Sequence, residues 1–110
     1  MYILNEDKTY RKAVDTLEFE AQFNTMNRQI ADTKLPNKRI STTWLGIDRN
    51  YYKVGGGVVL IFETMIFDSE GKSECQQMYS SWEDAIKGHE MAVHRVTTGQ
   101  HSERYNNFLP

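Results

Sequence analysis

The chain has 110 residues, of which 39% are hydrophobic, 12% aromatic and 25% charged, with a formal net charge of −2. That fits one folded domain, too apolar and aromatic for a disordered chain and too short for two comfortable cores. The longest apolar run, Val58 to Phe62, falls far short of the roughly 20 residues a spanning helix needs. The start Met1-Tyr2-Ile3-Leu4-Asn5-Glu6-Asp7-Lys8 lacks the basic and apolar regions of a secretion signal, so a cytoplasmic protein without a membrane partner is expected.

In chain order, residues 1–14 carry no strong pattern and are candidates for a flexible start. Asp15-Thr16-Leu17-Glu18 then has the form of a capping box opening a helix. Leu17, Phe19, Ala21 and Phe23 also alternate as a half-buried strand would, but the cap and the Glu, Ala and Gln residues favour a helix near 16 to 26. Segments near 28 to 35 and 39 to 47, parted by Pro36-Asn37-Lys38, read as a hairpin. In the second of these Ile40, Thr42, Trp44 and Gly46 share one face and Ser41, Thr43, Leu45 and Ile47 the other. Both faces are partly apolar, so the sheet is expected to be covered on more than one side.

Asp48 to Gly57 ends in Gly55-Gly56-Gly57, the composition of a mobile loop. Residues 58 to 67 form the most apolar segment and predict a central strand. The turn Asp68-Ser69-Glu70-Gly71 leads to a last strand near 74 to 80. Ser80-Ser81-Trp82-Glu83 has the form of a second capping box. The helix it opens, near 82 to 98, carries Trp82, Ala85, Ile86, His89, Ala92, Val93 and Val96 on one stripe. The tail 100–110 is polar but holds Tyr105, Phe108 and Leu109; it frays, or docks in cis or on a second copy. These elements predict an α+β fold: a four-stranded antiparallel sheet with an N-terminal and a C-terminal helix packed on it.

Few residues carry chemistry. His89 and His94 lie five apart, about 140° around a helix, so one metal cannot bridge them. They read as one packed and one surface imidazole. The triple glycine enters a strand rather than a helix, unlike a phosphate-binding loop. Glu63 interrupts the apolar strand and should pair, shift its pKa or face solvent. Cys75, the single cysteine, cannot form an internal disulfide and sits beside Glu74, without the positive setting that activates a thiolate. No catalytic set, cofactor site or metal site is identifiable, and no enzyme is expected.

Charge is segregated along the chain. Residues 1 to 59 hold nine Lys or Arg against seven Asp or Glu, and residues 60 to 110 four against eight. A basic and aromatic cluster runs from Lys34 to Lys53, and Arg39, Trp44, Arg49, Tyr51, Tyr52 and Lys53 are its candidates for holding a nucleotide or phosphate. In the acidic half, Glu70, Glu74, Glu83, Asp84 and Glu90 are candidate contacts for a protein partner that itself binds nucleic acid.

The stretches Ile40-Ser41-Thr42-Thr43-Trp44-Leu45-Gly46-Ile47-Asp48, Leu60 to Phe67, Tyr79-Ser80-Ser81-Trp82-Glu83-Asp84-Ala85 and Gly88-His89 together resemble a family of small proteins encoded by bacteriophages and their hosts. The resemblance covers about residues 15 to 97. It implies a helix bearing aromatic residues, two strands, a Gly-rich loop, two more strands and a closing helix. It also implies a phage setting, and it carries over no catalytic residue. The chain departs from the family at Tyr51-Tyr52-Lys53-Val54, a stretch usually His-Asn-Phe-Gly-like and followed by prolines. The leading expectation is therefore a phage accessory protein that binds and inhibits a host protein, with an antiviral defence component such as a CRISPR effector as first candidate. The alternative is a binding protein that sequesters a nucleotide signal.

Overall fold

The computed structural model describes residues 1–52 and 56–99, with the backbone alone at residues 74–76. In chain order the elements are β1 (Tyr2–Leu4), β2 (Tyr10–Lys12), α1 (Thr16–Phe23), β3 (Gln29–Lys34), β4 (Lys38–Trp44), β5 (Phe62–Asp68), β6 (Ser73–Tyr79) and α2 (Trp82–Thr97). Strands β3 to β6 form the expected four-stranded antiparallel sheet in sequential order, so the fold is α+β with a helix at each end of the core. β1 and β2 form a separate two-stranded sheet in the segment expected to be a flexible start.

The sheet register explains the core. Ile40 lies opposite Ile66, Thr42 opposite Thr64 and Trp44 opposite Phe62, and directly opposed residues of an antiparallel pair share a face. All six are buried, and α2 lies across this face, touching all four strands. On the other face stand Ser41, Thr43, Glu63 and Met65. α1 meets β1 and the end of β4 instead of crossing that face, so the expectation of cover on both sides is corrected among the described residues: one helix covers one face. Both edge strands carry a register irregularity, near Ile30 in β3 and opposite Thr64 and Met65 in β6, which blunts the edges against further pairing.

Both helices begin at caps. Asp15 accepts the Glu18 backbone N–H at 2.9 Å. The second cap sits one residue later than the sequence pattern suggests: Ser81 accepts from the Asp84 N–H at 3.1 Å. Glu18 reaches back past its cap to the Val14 N–H at 2.8 Å and takes a bidentate contact from Arg11 at 3.0 and 2.7 Å. The Arg11 guanidinium, with the Val14 N–H second, holds the Glu18 carboxyl down at about 2.

Two glycines fit close approaches. Gly46 takes φ +74°, and a Cβ there would stand 2.9 Å from Phe19 and 3.2 Å from Phe23. That is how α1 docks on the end of β4, and it ends the strand at Trp44 where the apolar pattern runs on to Ile47. Gly88, inside α2, lies against Tyr79, whose ring and hydroxyl atoms come within 2.1–2.2 Å of where a Cβ would be.

Candidate functional site

Beneath α2 the sheet presents hydroxyls where an apolar layer would be ordinary. The Tyr79 hydroxyl, from β6, donates to Thr64 Oγ1 at 3.1 Å. Thr64, from β5, meets Thr42 of β4 at 2.6 Å. Thr42 meets His89 Nδ1 at 2.8 Å, and His89 Nε2 meets Thr33 of β3 at 2.9 Å. One helical imidazole thus closes a polar chain that crosses every strand of the sheet. Aromatic packing flanks one end, where Trp44, Phe62 and Tyr79 are joined by Tyr2, Tyr10 and Trp82. Ile40, Ile66 and Ala92 flank the other. His89 is 6% exposed, and burial pushes its pKa below the ordinary 6.5, against the opposing pull of Asp32 and Glu90. The imidazole is therefore neutral at pH 7, the packed histidine expected from the apolar stripe, while His94 is exposed.

A base held between two hydroxyls resembles the start of a nucleophilic relay, but the group on Nδ1 is a threonine. A neutral hydroxyl orients an imidazole without stabilising the imidazolium that a general base becomes. Among the described residues no group of three His, Cys, Asp or Glu side chains is placed to hold a metal, and no helix is long and apolar enough to cross a membrane.

The surface is organised differently. Eight large apolar side chains are left exposed among the described residues. Of these, Met1, Val14, Leu17, Ile47, Tyr51, Tyr52 and Val58 belong to three neighbouring segments, and Met91 lies elsewhere, on α2. The segments are joined by backbone hydrogen bonds: Tyr2 N–H to the Gly46 carbonyl at 2.8 Å and Ala13 N–H to the Met1 carbonyl at 2.9 Å. Met1, Tyr2, Ala13, Val14 and Ile47 line one hollow of about 510 Å³ together with Lys12, Asp15, Thr16 and Asp48. Val14 and Leu17 are 81% and 77% exposed.

The loop beyond Ile47 is built on Asp48, whose carboxylate accepts from the Asn50 and Leu60 N–H groups at 2.8 and 3.0 Å. Asn50 in turn donates to the Val58 carbonyl at 2.8 Å. Residues 58–60, expected to start the central strand, are thereby folded against the loop, Ile61 bonds through its backbone to Leu45 and Tyr79, and β5 begins at Phe62. Arg49 projects beside the Tyr51 ring, 5.9 Å from its centroid. The carboxylates of this end are engaged with backbone donors, at Asp48 and at the Asp15 cap, while Lys12 and Arg49 are exposed.

The residues singled out from sequence are dispersed. Trp44 is fully buried between Tyr10 and Phe62, with ring centroids at 5.8 and 5.2 Å, so it is a core residue and lines no nucleotide pocket. Arg39 pairs with Asp32 at 2.9 Å, five residues before Trp44 and so roughly 17 Å along the strand from the loop end. Arg49, Tyr51 and Tyr52 do sit together at the apolar end, and Lys53 lies outside the described residues. Among the acidic candidates, Glu70 is in the β5–β6 turn, while Glu83 and Asp84 open α2 at the opposite end of β6, roughly 23 Å away. Glu90 follows on α2 beyond Lys87, which meets Glu83 at 3.5 Å, and the side chain of Glu74 lies outside the described residues. Among the described residues, Glu83 and Glu90, two turns apart on α2, share a helix face, and Glu70 stands apart in the β5–β6 turn. Glu63 is half-buried on the face turned from α2, opposite Thr43 and Met78. Sequence reasoning passed over Val14, Leu17 and Ile47, because an exposed aliphatic side chain in a short amphipathic segment reads as core until its face is known.

Compared with protein-family models, with curated proteins and with solved structures, the chain matches none.

Proposed function

We propose that this chain is a non-enzymatic protein-binding module that docks its partner through the end formed by Met1, Val14, Leu17, Ile47 and the Tyr51–Tyr52 loop. In the phage setting implied by the sequence resemblance, the partner is a host protein, with an antiviral defence component as first candidate. The observation that carries the reading is that, among the described residues, seven of eight exposed large apolar side chains belong to three neighbouring segments, with Met1, Val14 and Ile47 lining one hollow. Exposed apolar side chains gathered in this way, with polar groups beside them, mark interaction sites.

The rim favours a partner of particular chemistry. Lys12 and Arg49 stand there beside Asp15 and Asp48, so the complementary surface is apolar at its centre and carries charge of both signs at its edge. The aliphatic anchors Met1, Val14, Leu17 and Ile47 outnumber the exposed rings of Tyr51 and Tyr52 on which a base could stack, which favours a protein partner over a nucleic acid.

The test is tagged purification from host cells with three chains: the unaltered protein, the double variant Val14→Asp with Leu17→Asp, and Met91→Asp as a surface control. A stoichiometric protein retained by the first and third and lost by the second supports the reading. Equal retention by all three, a retained nucleotide without a protein, or self-association lost in the double variant each overturns it.

A further inference from the structure

The chain under α2 has a direction. Tyr79 donates to Thr64, and each threonine hydroxyl has one proton to give. If Thr64 donates to Thr42, Thr42 to His89 Nδ1, and His89 Nε2–H to Thr33, every hydroxyl proton from Tyr79 to Thr42 is used and every link has one donor and one acceptor. The reverse arrangement puts the proton on Nδ1 and turns Thr42 towards Thr64. Thr64 would then accept from both Thr42 and Tyr79, with its own proton given to neither. Satisfying buried polar groups selects the first arrangement and hence the Nε2–H tautomer.

We propose that this chain, from Tyr79 through Thr64, Thr42 and His89 to Thr33, is a proton-sensitive latch that holds α2 on the sheet while the imidazole is neutral and loosens it on acidification. A second ring proton must go on Nδ1, the atom to which Thr42 donates. The hydroxyls of Thr42 and Thr64 then reverse, and a buried hydroxyl proton loses its acceptor in the chain. The groups around the ring do not offset this. Asp32 on β3 and Glu90 on α2 favour the cation, but Asp32 is already paired with Arg39 at 2.9 Å. β4 and β5 meet the ring's chain with the hydroxyls of Thr42 and Thr64, and β6 with the phenol of Tyr79. The folded-state pKa lies below the ordinary 6.5. The latch therefore contributes fully above that value and is lost as pH falls from 6.5 through the lower folded midpoint.

Long-range proton–nitrogen correlation spectra of the full chain between pH 4.5 and 8.5, with amide-exchange protection of α2 followed in parallel, test the latch. The expected result is the Nε2–H tautomer at pH 7.5, a midpoint below 6.5, and α2 protection falling by up to about tenfold per pH unit between the two pKa values. In His89→Gln, where the titrating group is gone, the step should vanish. An Nδ1–H tautomer at neutral pH, a midpoint at or above 6.5, or α2 protection indifferent to the titration overturns the latch, and these wild-type spectra decide it even where the variant does not fold.

Discussion

Two regions of the molecule invert the usual distribution of polarity. Under α2 the molecule buries the hydroxyls of Thr42, Thr64 and Tyr79 together with a histidine, while at the Met1–Val14–Ile47 end it leaves aliphatic side chains in water. The contrast separates what burial means at each place. The buried chain is satisfied link by link, so its polarity fixes how α2 sits on the sheet. Among the described residues the exposed end makes no such closure, and its apolar surface is available to something else.

The sharpest way to break the buried side is at Gly88. Glycine inside a helix ordinarily costs about 1 kcal/mol relative to alanine, so Gly88→Ala would stabilise an unencumbered helix. Here the added Cβ would fall 2.1 Å from the Tyr79 hydroxyl, the residue that starts the polar chain. We expect a loss of roughly 3 kcal/mol, the upper range for overpacking, read from urea unfolding. Next in size is Thr42→Val, which keeps the volume and removes the hydroxyl between Thr64 and His89 Nδ1. Two buried groups then lack a partner, and a loss of about 2 kcal/mol is expected, with the His89 midpoint displaced in the same protein. A Thr42→Val variant as stable as the parent would show that the chain contributes no more than an apolar layer would.

The exposed side should respond oppositely. Val14→Asp with Leu17→Asp removes two anchors that are largely in water, and both lie at the start of α1, where a negative charge favours the helix dipole. Stability should change by no more than about 0.5 kcal/mol, while partner retention is lost. A destabilised variant would instead make these residues part of the core's support. Charge reversal at Lys12 and Arg49, beside the apolar anchors, should change binding less and show itself in an altered dependence on salt.

How much of this was legible in the sequence follows from which forces are local. Periodicity placed α2 with its stripe, the β3–β4 hairpin and the β5–β6 pair, because a helix stripe and strand alternation are written in neighbouring residues. The β1–β2 hairpin was not legible: its strands have three residues each, and its turn uses Lys8 at φ +74° in place of a glycine or asparagine. The early end of β4 and late start of β5 depend on Gly46 receiving Phe19 and on Asp48 binding Leu60, contacts distant in sequence. For the site, spacing gave His89 on the buried stripe but not the hydroxyls that meet it, since Thr33, Thr42 and Thr64 come from three strands. The basic and aromatic cluster failed as a pocket for the same reason. Trp44 obeys the strand's alternation into the core, and Arg39 belongs to the strand's far end.

The smallest expected effect lies between the two regions, at the entry to α1. Arg11 and the Val14 N–H hold the Glu18 carboxyl at about 2, well below its ordinary 4.5. A depressed carboxylate pKa stabilises the fold above 4.5 and gives that stability up as pH falls from 4.5 through about 2. This window opens at 4.5, below the 6.5 at which that of His89 opens, so on acidification the contact of α2 with the sheet begins to weaken before the start of α1 that carries Val14 and Leu17. In Arg11→Gln the Glu18 carboxyl should titrate closer to 4.5 by carbon-detected NMR, with the His89 midpoint unmoved. Movement of both would mean that the buried chain and the exposed end are coupled through the fold, and the contrast between them would then be one of position rather than of independent parts.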